Sequence, residues 1–265
     1  MFFCKATRKN PSEEKMEHIT SRKNQIILQL KALGTDSAFR AQRGEFLLDG
    51  EKLLEEALSQ GMEISTVLWG GEPTRALPDS ICQFSCPADI MQSVSPLKNS
   101  RGPVFSLKTR DIAFKKPLRS AIILENVQDP GNVGTVIRTA NALGCDLVIL
   151  AGDCAELFSP KTARATMGAI FRQPVIKMTL EQLSLFVKAQ GLRLFGAALS
   201  PGAADIRSVP TKGLAVAIGS EGQGLSDELL ALCEGSLIIP MAPDSESLNA
   251  AVAAAIVMWE MCRNS

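Results

Sequence analysis

Three polar loops hold the side chains with the widest chemical reach, and each follows an apolar run. The first, 125–134, reads Glu-Asn-Val-Gln-Asp-Pro-Gly-Asn-Val-Gly and leads into 135–144. Read as a helix, Val133, Val136, Ile137 and Ala140 share one apolar face. Gly134 precedes Arg138 by four residues, which predicts open space beside a guanidinium on the same flank. The start of that helix offers N–H groups to an anion such as a phosphate. On its own, Arg138 also reads as an ordinary exposed side chain. The second loop, 219–228, spaces its glycines as G-x-x-G-x-G around Glu221. A carboxylate there repels phosphate, so the pattern points to a neutral or cationic ligand, or to one met through hydroxyls. Ser226 is placed to cap a helix, with Asp227 and Glu228 in its first turn. The third loop, 239–249, reads Ile-Pro-Met-Ala-Pro-Asp-Ser-Glu-Ser-Leu-Asn. Its two prolines hold it extended. Ser247 is the expected cap of the helix that follows, with Asn249 in the first turn. Ala250, Ala251, Ala253, Ala254 and Ala255 suit close core packing of that helix.

Other chemistries fit poorly. Neither a dinucleotide G-x-G-x-x-G nor a phosphate-cradling G-x-x-x-x-G-K-[ST] occurs, which weighs against a nicotinamide-dependent oxidoreductase. His18 is the only histidine, so nucleophile–histidine catalysis is disfavoured, and its polar surroundings suit a solvated residue. Cys82 and Cys86 lie four apart, but no further ligands cluster with them and no metal is expected. Seven scattered cysteines suit a reducing cytoplasm better than a disulfide framework. The longest apolar run, 250–259, falls far short of the roughly 20 residues a membrane span needs. The N-terminus has no apolar stretch that suits a signal peptide.

These loops need a scaffold. Continuous apolar runs at 121–124, 147–150, 194–198, 214–218 and 237–239 suit strands of a parallel sheet buried on both faces. Helical patterns separate them at 133–143, 161–169, 181–189, 225–233 and 247–262. In such α/β sheets ligands sit outside the carboxyl ends of the strands, where the three loops fall. Upstream, a helix over 17–33 closed by Gly34, a strand at 45–50, a helix at 51–60 stopped by Gly61 and a strand at 64–69 suggest a smaller α/β domain. The expected organisation is a flexible tail at 1–16, a first domain at 17–110, a linker at 111–119 and a second domain at 120–265.

The chain has 265 residues with 28 basic and 28 acidic side chains, a balance that argues against a nucleic-acid partner. That balance hides two basic tracts. Residues 1–43 hold nine basic and four acidic side chains, and 98–119 hold seven and one. Arg22, Lys23, Arg40 and Arg43 in one tract, and Lys98, Arg101, Lys108, Arg110, Lys115 and Lys116 in the other, are candidates to track phosphates. A merely solvated tail and linker fits them as well.

The patterns N-x-G-x-x-x-R-x-A over 132–140, I-G-S-E-G-x-G-L over 218–225 and I-P-M-x-x-x-x-E-S-L-N over 239–249, in this order, resemble the signature motifs of one family. It is the SpoU (TrmH-like) RNA ribose methyltransferase family of the SPOUT superfamily. Ser159-Pro160-Lys161, Arg164 and Met167-Gly168 are similar to a further segment of it. Ile19-Thr20-Ser21-Arg22 and Phe46-Leu47-Leu48-Asp49-Gly50 look like its accessory domain, which resembles a ribosomal RNA-binding protein. Asp49 stands where Glu is more usual, and Ser100-Arg101-Gly102 replaces the common Pro-Gln-Gly.

The resemblance implies an α/β fold whose C-terminal chain makes a deep trefoil knot, acting as a cytoplasmic homodimer. It implies methyl transfer from S-adenosylmethionine to a ribose 2′-hydroxyl, with ribosomal RNA favoured and tRNA open. Gly219, Ile239, Met241 and Leu248 would meet the cofactor, and Arg138, Asn132, Glu221, Ser247 and Asn249 would form the catalytic set. Arg22, Lys23, Arg43, Lys98, Arg101 and Arg164 would bind RNA. Arg138 either stabilises the developing alkoxide and clamps a phosphate, or has its pKa lowered enough to act as a base. A non-catalytic RNA-binding protein on the same fold is the alternative.

Overall fold

The structure, a computed structural model, describes residues 16–114, 116–242 and 247–263. The 1–16 tail falls outside this range apart from Met16, as do Lys115 and Glu246. The chain builds two sheets. The first unit runs β1 (Glu17–His18), α1 (Gln25–Thr35), α2 (Ser37–Arg43), β2 (Glu45–Asp49), α3 (Glu51–Ser59), β3 (Ile64–Trp69), β4 (Cys82–Ser85), α4 (Ala88–Val94) and β5 (Val104–Lys108). Its five strands are ordered β1-β4-β3-β5-β2, with β5 antiparallel to both its neighbours.

The helix expected over 17–33 is shorter. Asn24 caps its start by accepting from the Ile26 amide at 2.8 Å, so Glu17 and His18 are left to pair with β4. Gly34 does not end it; the helix continues to Thr35, and Asp36 both closes it and caps α2.

The second unit runs β6 (Ser120–Glu125), α5 (Pro130–Leu143), β7 (Leu147–Ala151), α6 (Pro160–Ala165), a 3-10 turn at Ala169–Phe171, β8 (Val175–Met178) and α7 (Leu180–Gln190). It continues through β9 (Arg193–Ala197), β10 (Ala204–Asp205), β11 (Leu214–Ile218), α8 (Asp227–Leu230), β12 (Gly235–Ile238) and α9 (Ala250–Cys262). All seven strands are parallel, in the order β10-β12-β9-β11-β6-β7-β8. The unbroken apolar runs have a simple cause. Alternate residues face opposite layers, and both layers are covered. Ile122, Leu124, Val148, Leu150, Val216 and Ile218 pack with α5 and α9. Ala121, Ile123, Leu147, Ile149, Ala215 and Ala217 pack with α7 and α8.

Two expected helices are shorter than their patterns: α8 spans 227–230 rather than 225–233, and α6 stops at Ala165. Strand β8 has no counterpart among the expected runs, because this four-residue edge strand carries Lys177.

The two units share a core. Phe46, Leu48, Leu54, Trp69 and Phe105 of the first pack against Ala163, Ile170 and Phe171 of the second, and the Phe46 and Phe158 rings lie 5.0 Å apart. This changes the reading of several basic residues. Arg40 is buried, pairs with Glu156 across the junction and donates to the Leu33 carbonyl at 2.7 Å. Arg110 donates to the Phe171 carbonyl at 3.1 Å, and Lys108 pairs with the buried Glu45 at 2.6 Å. Arg40 is therefore a residue of the junction and not of a ligand-facing surface, whereas Lys108 and Arg110 engage protein groups while staying in part open to solvent.

Gly134 also departs from expectation. A Cβ on it would lie 2.4 Å from the Ala165 Cβ and 2.7 Å from the Thr162 carbonyl oxygen. The flank of α5 expected to be open is the seam against α6. Gly134→Ala therefore overpacks this seam, and a loss of about 1–3 kcal/mol is expected in chemical denaturation.

Candidate functional site

Each loop emerges at the carboxyl end of a strand and is fixed by its own polar groups. The loop after β6 is set by Asp129, which caps α5 by accepting from the Asn132 amide at 2.7 Å. This capping carboxylate occupies the helix start that the sequence offered to an anion. The loop after β11 folds back on itself, with Gly224 N–H donating to the Ser220 carbonyl at 2.9 Å. Its exit is held by Glu125, a carboxylate only 2% exposed. Glu125 accepts from the Ser226 hydroxyl at 2.6 Å and from the Ser226 amide at 2.8 Å. Ser226 also caps α8 as expected, accepting from the Leu229 amide at 3.1 Å.

No role for Glu125 is legible from the residues around it. Its one signal is a carboxylate closing a buried apolar strand, and its partner lies 101 residues away. Glu125→Ala leaves the Ser226 amide without its acceptor, and a stability loss of about 1–3 kcal/mol is expected in urea titration.

The cap of α9 is Asn249 and not Ser247. The Asn249 Oδ1 accepts from the amides of Ala251 at 3.0 Å and Val252 at 3.3 Å. The same side chain turns its Nδ2 the other way, donating to Glu221 Oε1 at 2.7 Å and Asn132 Oδ1 at 3.1 Å. Asn132 Nδ2 donates to Glu221 Oε1 at 2.5 Å. Residues from all three loops thus meet on one carboxylate. Its negative charge is matched by amide donors and not by a cation, because its partners here are two carboxamides and the Ala250 amide.

Beside this cluster lies a cavity of about 350 Å³. Gly219, Ile239, Met241, Ser247 and Leu248 all line it, with Glu221, Leu225, Ile238 and Ala197. No Lys, Arg or His is among the lining residues described. The wall at Gly219 is tight: a Cβ there would sit 2.1 Å from the Gly224 carbonyl carbon and oxygen. The arrangement suits a phosphate-free ligand with a flat apolar part, and Glu221 favours positive charge nearby.

Arg138 stands apart from the cluster. It is exposed on α5, lines no part of the cavity, and is held by no hydrogen bond or ion pair among the described residues. The remaining basic candidates are also exposed: Lys23, Lys98, Arg101 and Arg164, with Arg22 paired to Asp89 at 2.9 Å and Arg43 3.7 Å from Glu45. Among the described residues no group of three or more His, Cys, Asp or Glu side chains is placed to hold a metal, and no helix is long and apolar enough to cross a membrane.

The site is thus a glycine-walled cavity, with no cationic side chain among its described lining, at the strand ends of a parallel α/β sheet, and comparison with known proteins gives its class. Residues 119–259 match the SpoU rRNA Methylase family. A 23S rRNA (guanosine(2553)-2′-O)-methyltransferase of Bacillus subtilis (strain 168) is 34% identical, over 93% of this chain and 99% of its own length. A 23S rRNA (uridine(2479)-2′-O)-methyltransferase of Streptomyces viridochromogenes is 29% identical over 92% and 91%. The AdoMet-bound crystal structure of an rRNA methyltransferase from Sinorhizobium meliloti superposes with a TM-score of 0.83 at 28% identity, covering 94% of this chain and 98% of that one. The chain belongs to the SpoU rRNA methylase family.

Proposed function

We propose that this protein transfers a methyl group from S-adenosylmethionine to a ribose 2′-hydroxyl of RNA, and that the RNA is ribosomal. The observation that carries the reading is the Asn132–Glu221–Asn249 cluster beside a cavity with no cationic side chain among its described lining. The lining fits the cofactor, which has no phosphate and a positive sulfonium. Gly219, Ile239, Met241 and Leu248 hold it through backbone groups and apolar contact. When bound, it supplies an electrophilic methyl group.

The chain's own residues do the rest. Asn132, Glu221, Ser247 and Asn249 orient the ribose at the mouth of the cavity. Arg138, exposed and without a partner among the described residues, clamps an RNA phosphate and stabilises negative charge on the hydroxyl oxygen. The hydroxyl proton leaves to a phosphate oxygen or to water. Arg22, Lys23, Arg43, Lys98, Arg101 and Arg164 track the RNA backbone. Residues 17–110 act as the RNA-binding domain, 111–119 as the linker, and 120–265 as the methyltransferase domain with a trefoil knot at its C-terminal end. The protein works as a homodimer in the cytoplasm. Val252 and Trp259, both exposed and seven residues, or about two turns, apart on one face of α9, support the pairing.

The test is transfer of labelled methyl from S-adenosylmethionine to large-subunit ribosomal RNA and, in parallel, to tRNA, with the 2′-O-methylated nucleotide mapped. Cofactor binding with no transfer to any RNA would sink the enzymatic reading. Label entering tRNA alone would move the substrate. Six phosphate contacts to single-stranded RNA should lower affinity roughly a hundred-fold or more between about 50 and about 200 mM salt. A flat salt response in a filter-binding titration would remove the basic residues from the interface.

A further inference from the structure

A second cavity, of about 440 Å³, lies in the first unit and shares no lining residue with the one at the strand ends. It sits between α4, the loop that leads to β5, and Gly70 at the end of β3. Its frame is fixed by Asp49, a carboxylate 7% exposed at the end of β2. Asp49 accepts from the Ser100 hydroxyl at 2.9 Å and from the Ser95 hydroxyl. Each hydroxyl in turn accepts a loop amide at 2.9 Å, Ser100 from Gly102 and Ser95 from Leu97. One buried carboxylate thus holds both ends of the 95–102 loop. Asp49 and Ser100, the two departures seen in the sequence, are partners: a hydroxyl on the loop reaches the shorter acid. The loop lies directly on its neighbours. A Cβ on Gly70 would sit 2.4 Å from the Arg101 carbonyl oxygen, and one on Gly102 2.8 Å from the Cε of the buried Met91.

The side chains on this frame are uncommitted. Gln92, Asn99 and Arg101 line the cavity, are exposed, and hold no hydrogen bond or ion pair among the described residues. Ala88 and Met91 add apolar surface to the same lining. A carboxamide offers a donor and an acceptor in one plane. Adenine presents the matching pair, its N6 amino group beside the N7 acceptor. An isolated phosphate, which accepts only, would leave both carboxamide oxygens unmatched. In an RNA duplex that edge faces a groove too deep and narrow for side chains, so the base that fits here is unpaired.

We propose that this cavity takes one unpaired adenine of the RNA substrate, read at its edge by Gln92 and Asn99, with Arg101 on the adjoining phosphate. The proposal rests on the RNA substrate proposed above and adds to it a subsite in the other unit from the methyl-transfer cavity. Basic side chains on the backbone carry no sequence information. The two carboxamides supply it, and they give the first unit a means of choosing among RNAs of equal charge.

The test uses the full chain and fluorescence anisotropy with labelled single strands of about eight nucleotides. The probes are oligoadenylate, oligocytidylate, oligouridylate and an abasic ribose-phosphate chain of the same length. The parent protein should bind oligoadenylate about ten-fold more tightly than the other three. Gln92→Ala and Asn99→Ala should erase that preference and leave affinity for the abasic chain unchanged. Arg101→Ala should weaken all four alike, as the loss of a phosphate contact does. Equal binding of the four probes by the parent protein overturns the proposal, as does a preference for either pyrimidine chain. So does a loss in Gln92→Ala or Asn99→Ala that is the same for the abasic chain as for oligoadenylate. Labelled-methyl transfer to ribosomal RNA, run in parallel, keeps the two readings apart. Transfer without an adenine preference removes the subsite and leaves the enzyme; the preference without transfer does the reverse.

Discussion

Arg138→Ala should reduce methyl transfer by about a hundred-fold to a thousand-fold or more, the range seen when a charge-stabilising donor is removed from a reaction site. Cofactor affinity should stay within a few fold, because Arg138 lines no part of the cavity. Stability should stay within about 0.5 kcal/mol, because the side chain is exposed and holds no partner among the described residues. The three measurements together separate a chemical role from a structural one. Single-turnover transfer reports the first, calorimetry with S-adenosylmethionine the second and thermal unfolding the third. Arg138→Lys refines the assignment. A retained fraction of activity would mean that positive charge suffices; complete loss would mean that the planar fork of the guanidinium is needed to hold two phosphate oxygens. Normal turnover in Arg138→Ala would remove this residue from the reaction.

The same helix shows what the sequence could and could not convey. The apolar face of Val133, Val136, Ile137 and Ala140 was legible, because helical periodicity encodes it locally, and all four are buried. What Gly134 faces was not legible. Its tightness comes from Thr162 and Ala165 on another helix, and local spacing cannot distinguish a glycine beside empty space from one beside a neighbour. The parallel strands were readable for the reason given by their two covered faces, whereas β8 was too short and too polar to register.

Charge was the least legible property. Arg40 and Arg43 stand three residues apart in one basic tract, yet Arg40 is buried against Glu156 and Arg43 is exposed. One turn of helix separates a residue of the junction from one facing solvent, and only the docking of the two units decides which is which. The cluster at the site is likewise a long-range product. Asn132 and Asn249 are 117 positions apart, and each motif alone allowed only that a polar side chain stood near a strand end. Assigning the α9 cap to Ser247 had the same origin. Ser247 and Asn249 are both good caps, and the choice falls to Asn249 because one carboxamide can cap with its oxygen and still donate to Glu221 with its nitrogen.

Gly219→Ala should abolish or severely weaken cofactor binding, by more than ten-fold, with the sheet left intact. The added carbon would stand 2.1 Å from the carbonyl group of Gly224 and 2.5 Å from the Leu225 nitrogen. Those are backbone atoms, so no side-chain rotation relieves the clash. The loop must open instead, separating Ser220 from Gly224, whose 2.9 Å hydrogen bond closes it. Both residues line the cavity, so its wall moves with them. Gly222 supplies the control. It lies in the same loop, and a Cβ built on it meets nothing within 4 Å. Gly222→Ala should therefore bind the cofactor within a few fold of the parent, although both variants add one methyl group. Calorimetry on the two proteins, with far-ultraviolet circular dichroism to confirm folding, decides the matter. If Gly219→Ala binds normally, the close wall is not a cofactor contact; if the two variants fail equally, general loop flexibility and not the Gly219 contact governs the site.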